Sequence, residues 1–496
     1  MSPRNAPLEI SPERFRALGH QLVDRIADLL ASIPGRPVTH DESPSSIRDA
    51  LGLNGSLPEE GADPAALLDA AVRTIPDHSL FNGHPRFFGY ITSSPAPIGM
   101  LGDLLAAAVN PNVGGWLLSP AASEVEGQTV RWIAELIGYP PDCGGLLVSG
   151  GNMANFVCFL AARAAGAPWD LRAEGVNDGT RPRLRCYGSA ETHTWIQKAA
   201  DLAGLGTDAI RWIQTDDRQR MNVAALAERL VVDKAAGDHP LVVVGTAGSV
   251  STGAVDPLGE IAALCREHGV WFHVDGAYGG FAAAVPDASP DLRALAAADS
   301  VAVDPHKWLY APLEAGCALV RDAEALRRAF SYHPPYYHFD ERATNYVDFG
   351  PQNSRGFRAL KVWLALRQAG ASGYRRMIAD DMALSRAMAD AIAAHPDLDL
   401  VTQELSIATF RYVPPDLRAK PLAETAAYLD DLNRALLDAL QRGGEAFVSN
   451  ALVSGRYVLR ACIVNFHTTL ADVQALPEIV ARTGRRIDSE MRQGSG

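Results

Sequence analysis

Leu146-Leu147-Val148-Ser149-Gly150-Gly151-Asn152 is a short apolar run that ends in a glycine turn and opens a helical stretch, Met153 to Ala165. A run of this length bounded by turn signals reads as a buried strand, and the unit as strand, turn and helix. The unit recurs along the chain. Leu184-Arg185-Cys186-Tyr187, Leu241 to Val244, Val270 to Val274 and Ser300 to Val303 are further apolar runs, each followed by small or polar residues and a helical stretch. That alternation is the order of a parallel sheet with crossover helices, which makes the fold class α/β. Beyond about Gly370 the pattern changes to long helices around Asp380 to His395 and Thr425 to Gln441, with short strands at Ile407 to Tyr412 and Arg456 to Arg460, an α+β tail.

Towards the N-terminus, Ser11 is placed to cap a helix, with Pro12 at its first position and Glu13 in its first turn. Phe15, Leu18, Leu22, Ile26 and Leu29 recur at three and four and line one face, and Pro34-Gly35-Arg36-Pro37 ends the helix. The Ser-, Pro-, Gly- and acid-rich stretch from about His40 to Asp63 reads as an exposed connector to a second helix near Ala65 to Ile75. An apolar stripe on such an arm needs a surface to dock on, and a second subunit would supply one.

With 496 residues the chain has room for about three domains. Apolar residues at 47% and charged residues at 21% exclude a disordered, collagen-like or coiled-coil chain. Lys+Arg 45 against Asp+Glu 58 leaves a net charge of −13, which argues against a nucleic-acid groove or an anionic membrane as partner. No window approaches the ~18 apolar residues of a membrane span. The opening MSPRNAPLEISPERF lacks the basic start and apolar core of a secretory signal, so a cytoplasmic location is expected. Cys143, Cys158, Cys186, Cys265, Cys317 and Cys462 stand singly, which predicts free thiols and no metal site.

In parallel α/β sheets ligands bind beyond the carboxyl ends of the strands, so the residues that follow each run carry the chemistry. After the first come Ser149-Gly150-Gly151-Asn152, a helix N-terminus whose free N–H groups suit a phosphate, although a plain strand-to-helix turn has the same sequence. After the others come Ser189-Ala190-Glu191-Thr192-His193, Thr246-Ala247-Gly248-Ser249, His273-Val274-Asp275-Gly276-Ala277-Tyr278 and Asp304-Pro305-His306-Lys307-Trp308. A lysine and an aspartate in such places also suit a buried ion pair or a solvated loop. One cofactor, pyridoxal 5'-phosphate, uses the whole inventory: an amine for its aldehyde, a carboxylate for its pyridine nitrogen, an aromatic face and a phosphate cradle.

Ser149-Gly150-Gly151-Asn152, His193, His273 to Tyr278 and Asp304 to Trp308, in this order, resemble the group II pyridoxal-phosphate-dependent amino-acid decarboxylases, with the aromatic-L-amino-acid decarboxylases as the nearest branch. The likeness runs from the N-terminal arm through His84-Pro85-Arg86-Phe87-Phe88 to Arg456-Tyr457-Val458-Leu459-Arg460. It implies fold type I of the aspartate-aminotransferase kind, with a mainly parallel seven-stranded sheet and flanking helices. It also implies a helical arm over residues 1–95 packed on a partner subunit, a large cofactor domain over 96–372 and a small α+β domain over 373–496. The expected assembly is a homodimer with its active site at the subunit interface. By the same resemblance Lys307 holds the cofactor, Asp275 faces the pyridine nitrogen, and His193 stacks on the ring opposite Ala277. Gly151, Asn152 and His306 contact the phosphate, and Thr246 lies beside the ring hydroxyl or His193. Asp304 stands where the aromatic enzymes commonly have Asn, and a carboxylate there is expected to turn away from the phosphate.

The stretch from about Tyr332 to Asn353 reads as a lid, and the resemblance implies a proton donor to the substrate's Cα at Tyr336, with Tyr337 one register away. The substrate pocket is expected at Tyr90, Asn112, Gly114, Trp116 and Ser354, the stretch from Asn112 to Trp116 coming from the partner subunit. Asn112 and Gly114 replace the Ile and Phe usual in aromatic decarboxylases, which predicts a wider, more polar pocket; Ser354 leans towards a phenolic substrate. An acidic substrate would need a cation, for which Arg86 and Arg355 are candidates. The expected activity is decarboxylation of an L-amino acid to amine and carbon dioxide, with aromatic substrates such as tyrosine, DOPA, phenylalanine or tryptophan favoured. Acidic amino-acid decarboxylation, aldolase or aldehyde-synthase chemistry and non-catalytic cofactor binding stay open.

Overall fold

The computed structural model describes residues 6–176, 179–333 and 342–494. Seven strands form the central sheet: β1 (Gly144–Val148), β2 (Leu184–Ser189), β3 (Ile210–Ile213), β4 (His239–Thr246), β5 (Trp271–Asp275), β6 (Ser300–Val303) and β7 (Gly316–Val320). Their order is β1-β7-β6-β5-β4-β2-β3, and β3, β2, β4, β5 and β6 run parallel. β7 is the exception, antiparallel to both β6 and β1. The chain therefore reverses between Val303 and Gly316, and this reversal carries Asp304, His306 and Lys307.

Every residue of β1, β2, β6 and β7 is buried, as expected for strands covered on both faces. Leu147, Val243, Val274 and Val301 pack with Ile133 and Ile137 on one side. Leu146, Val148 and Ala302 pack on the other with Ala154, Val157 and Ala161, the small residues of helix Gly151–Gly166 at helical spacing. The helix starts where Gly150 takes φ 92°, a conformation open to glycine and strained for other residues.

Four antiparallel strands make the smaller sheet: β8 (Leu398–Glu404), β9 (Ile407–Tyr412), β10 (Ser449–Val453) and β11 (Arg456–Cys462), in the order β10-β11-β9-β8. Its core combines Phe410 and Leu459 with Met388 and Ile392 of helix Ala359–Ala393, Leu432 and Leu436 of helix Leu422–Gly443, and Leu476 and Val480 of helix Leu470–Gly494. The helix expected near Asp380 begins earlier, at Ala359, and breaks at Gly370, where φ is 64° and ψ 168°.

Helix Pro12–Ser32 has Ser11 as its cap, the Oγ accepting from Arg14 N at 3.2 Å. Leu18 is its one buried residue, while Phe15, Val23 and Ile26 are exposed. The supposed connector contains helix Pro44–Ala50, started by a reciprocal Ser43–Ser46 cap that its Ser-Pro composition conceals. The second arm helix is Pro64–Thr74, capped by Asp63.

Candidate active site

The carboxyl ends of β2, β4, β5 and β6 and the turn after β1 converge on a cleft of about 440 Å³, which Tyr90 and Ser449, Asn450 and Arg460 of the smaller sheet also line. Gly151, Asn152, His193, Thr246, Asp275, Ala277, His306 and Lys307 all line it, and so does Tyr90. Residues from five separate stretches thus meet because each follows a strand.

Asp275 is 6% exposed. Its Oδ2 accepts from Trp195 Nε1 at 2.7 Å and its Oδ1 from Ala277 N at 3.1 Å, so both oxygens are held. Behind it His273 bridges Ser300 Oγ at 2.8 Å and Asn155 Oδ1 at 2.7 Å, and Asn155 Nδ2 donates to Gly151 O. Burial pushes His273 down to about 4, so its ring is neutral at pH 7. This network ties the first turn of helix Gly151–Gly166 to β5.

Lys307 Nζ lies 3.0 Å from Asp304 Oδ2. Asp304 therefore turns into the cleft, contrary to expectation, because the lysine ammonium offsets its charge there. A Cβ at Gly151 would sit 2.7 Å from Asp304 Oδ2 and 3.1 Å from Ala277 Cβ, which is why glycine stands at 151. His306 Nδ1 contacts Ala315 O at 2.7 Å and burial lowers its pKa. The lysine turn is anchored from below: Trp308 Nε1 and Tyr310 OH donate to Asp381 Oδ2 at 3.0 and 2.8 Å, and Tyr278 stacks on Trp308. Burial raises the Asp381 carboxyl to about 7. His193 faces the cleft from an exposed position, its Nδ1 accepting from Trp195 N at 3.3 Å, and partial burial lowers its pKa.

The sequence reading left several cleft residues unassigned, among them Tyr278, Asn155, Glu191 and Arg460. Tyr278 and Asn155 lie inside motifs or helices already in view, and Glu191 sits two places before His193. Arg460 is the informative one. It is 2% exposed, its Nη1 donates to Tyr90 O and Ser449 Oγ, and its Nε and Nη2 have no hydrogen-bond partner among the described residues. Burial lowers its pKa and no carboxylate pairs with it among the described residues. A buried cation without a counter-charge is costly unless an anion arrives. Tyr90, whose carbonyl it holds, has φ 49°, an uncommon conformation for a bulky residue.

The remaining expectations separate. Asn112, Gly114, Trp116 and Ser354 do not line the cleft of this chain. Asn112 Oδ1 instead accepts from Gly114 N and Arg355 N, and a Cβ at Gly114 would lie 2.1 Å from Asn353 O. Gly114 is thus a close-approach glycine rather than an opened wall. Arg355 is structural: it pairs with Glu126, both side chains almost wholly buried, and donates to Val113 O and Leu147 O. Arg86 pairs with Asp472 at 3.1 Å. Of the expected lid, Tyr346 and Phe349 are buried and His333 pairs with Asp348, so its second half is packed. Tyr336 and Tyr337 lie outside the described residues.

The site's chemistry fits pyridoxal phosphate. Among the described residues Thr246 Oγ1 is a buried hydroxyl without a partner, and the first turn of helix Gly151–Gly166 has N–H groups with no intrahelical acceptor, both suited to an oxygen-rich ligand. A lysine, a clamped carboxylate and a helix N-terminus gathered at the strand ends of an α/β sheet define a cofactor-dependent enzyme. The pyridoxal-dependent decarboxylase conserved domain matches residues 46–413, and the chain belongs to that family. It is 32% identical over 471 residues to the aromatic-L-amino-acid decarboxylase of Bacillus atrophaeus, covering 94% of each chain. The phenylacetaldehyde synthase of a Rosa hybrid cultivar is 28% identical over 466 residues, covering 92% of this chain and 90% of that one. The crystal structure of Oryza sativa TDC with PLP and tryptamine superposes with a TM-score of 0.89 at 29% identity, covering 98% of this chain and 100% of the other. The chain is accordingly a pyridoxal-phosphate-dependent carboxy-lyase of fold type I.

Proposed function

We propose that this enzyme decarboxylates an aromatic L-amino acid, as a cytoplasmic homodimer. The observation that carries the chemistry is the meeting of Lys307, the doubly held Asp275 and the uncompensated Arg460 in one cleft. Bound pyridoxal phosphate supplies an electron-withdrawing ring that takes up the electrons released when the Cα–carboxylate bond breaks. Lys307 is the amine that would hold the cofactor through its aldehyde. Asp275 keeps the pyridine nitrogen protonated, and the donors from Trp195 and Ala277 fix the carboxylate for it. His193 and Ala277, which both line the cleft, would enclose the ring between them. Gly151, Asn152 and His306 would hold the phosphate, and the unpartnered Thr246 hydroxyl would serve the cofactor's ring hydroxyl or His193.

Arg460 takes the substrate carboxylate and, by orienting it, selects the bond that breaks. Tyr336 returns a proton to Cα. Aromatic preference is supported by the named relatives and by the engagement of Arg86 and Arg355 in ion pairs within the chain, which leaves neither for an acidic side chain. Support for the dimer comes from helix Pro97–Val109, which leaves Leu101, Leu104, Leu105 and Val109 exposed at helical spacing, and from Leu117 and Leu118 just beyond it. Asn112, Trp116 and Ser354 complete the pocket from the partner subunit. The cytoplasmic assignment rests on six unpaired cysteines, and no described helix is long and apolar enough to cross a membrane.

The test is a panel of the common amino acids with the amine measured by mass, together with borohydride trapping of the cofactor. Stoichiometric carbon dioxide and amine from aromatic substrates, with the label on Lys307, is the expected result. Aldehyde with ammonia and peroxide, amine from acidic substrates only, or a label on another lysine would each overturn the reading.

A further inference from the structure

The small domain holds a cavity of about 700 Å³, separate from the cleft, between the end of helix Ala359–Ala393, β8, β9 and the start of helix Leu422–Gly443. Its size is that of a small-molecule site. Arg411, Arg418, Lys420 and Arg456 line it, in a protein whose net charge is −13. Two of these cations are paired: Arg411 Nη2 with Asp430 Oδ1 at 2.7 Å and Arg418 with Asp399. Lys420 and Arg456 have no carboxylate partner among the described residues. Arg411 is 3% exposed, its Nε is buried without a partner, and Arg456 sits close enough to repel it. The four cations share the cavity lining with one carboxylate, Asp399, while Asp430 pairs with Arg411 and Asp416 lies near Lys420, and this surplus of positive charge in the lining is an arrangement that an anion would relieve. Pro396, Leu400, Val413 and Leu429 add apolar surface to the lining, beside the polar His395, Asp399 and Thr425.

We propose that this cavity binds a phosphate-bearing organic anion of nucleotide size, its phosphates held by Arg411, Lys420 and Arg456 and its organic body against the apolar part of the lining. Arginine forks match phosphate oxygens in pairs, and the cavity has room for more than a bare ion. Nothing in this assignment depends on the amino acid that the enzyme decarboxylates.

The experiment uses the holoenzyme, so that the cofactor's own phosphate site is filled. Calorimetric titration with ATP is expected to show saturable binding that weakens at least tenfold in Lys420→Gln/Arg456→Gln, whose side chains are not part of the core. Decarboxylation without ATP and the thermal midpoint without ATP should match wild type. Inorganic pyrophosphate is expected to bind more weakly than ATP. Absence of saturable ATP binding, or equal binding by the double variant, would overturn the site; pyrophosphate binding as tightly as ATP would overturn the organic part of the assignment.

Discussion

Replacing Trp195 by Phe isolates one hydrogen bond. Phe keeps a ring that can pack edge-on to His273 and Phe159, as Trp195 does at 5.5 and 6.3 Å between centroids, and removes the Nε1–H that reaches Asp275 Oδ2 at 2.7 Å. Both partners are buried, Trp195 at 2% and Asp275 at 6% exposure, so water does not readily replace the lost donor. A hydrogen bond to a charged group contributes about 1.5–3 kcal/mol. If the loss falls on the carboxylate's grip of the pyridine nitrogen, cofactor affinity and kcat together fall by ~10- to 150-fold. Trp195 touches neither ring nor substrate in this scheme and acts through Asp275, so it is a positioning residue. The assay is reconstitution of apoprotein with pyridoxal phosphate followed by absorbance, with kcat and KM measured on the saturated enzyme. KM is expected to change less than kcat. Variant protein with wild-type melting, cofactor affinity and kcat all within about threefold would show that Asp275 needs no such clamp.

Four further outcomes are expected. Arg460→Gln should lower kcat/KM by ~30-fold or more while leaving the thermal midpoint unchanged or higher, since it removes a buried cation with no counter-charge; a fall in stability without a kinetic change would contradict this. Glu126→Ala strands Arg355 and should cost about 3–5 kcal/mol in denaturant unfolding, with a loss under ~1 kcal/mol refuting a structural role for the pair. Asp381 is protonated in the fold up to about pH 7 and in the unfolded chain only up to about 3.8, so its contribution to stability falls as pH rises between those values. Asp381→Asn should therefore be more stable than wild type at pH 8 by up to ~4 kcal/mol and lose that advantage near pH 4; a pH-independent difference speaks against it. Tyr336→Phe should bind cofactor normally yet lose amine or divert to aldehyde, and unchanged amine output by mass would remove Tyr336 from proton return.

The strand ends were legible because burial and chemistry leave opposite marks on a sequence. β4, β5 and β6 are apolar runs, and the polar residues that stop them, Thr246, Asp275 and Asp304, are the ones delivered to the cleft. β3 was not read because it is an edge strand with Arg211 and Trp212 half-buried or exposed, and its pattern is that of a polar loop. β7 was missed for a different reason: Gly316, Cys317 and Ala318 are small, and Gly316 is glycine because Gly150 backbone lies about 2.5 Å from where its Cβ would be.

Local order along the chain, then, was enough to put Lys307, Asp275 and His193 on one edge of a sheet, since each inherits its place from the strand before it. Direction and company belong to the fold. Asp304 faces inward because Lys307 Nζ stands 3.0 Å away, Arg355 is structural because Glu126 lies beneath it, and Arg460 reaches the cleft only because β11 pairs with β9 and β10 on a second sheet. Charge pairing and burial depend on distance in space, which a one-dimensional pattern does not encode.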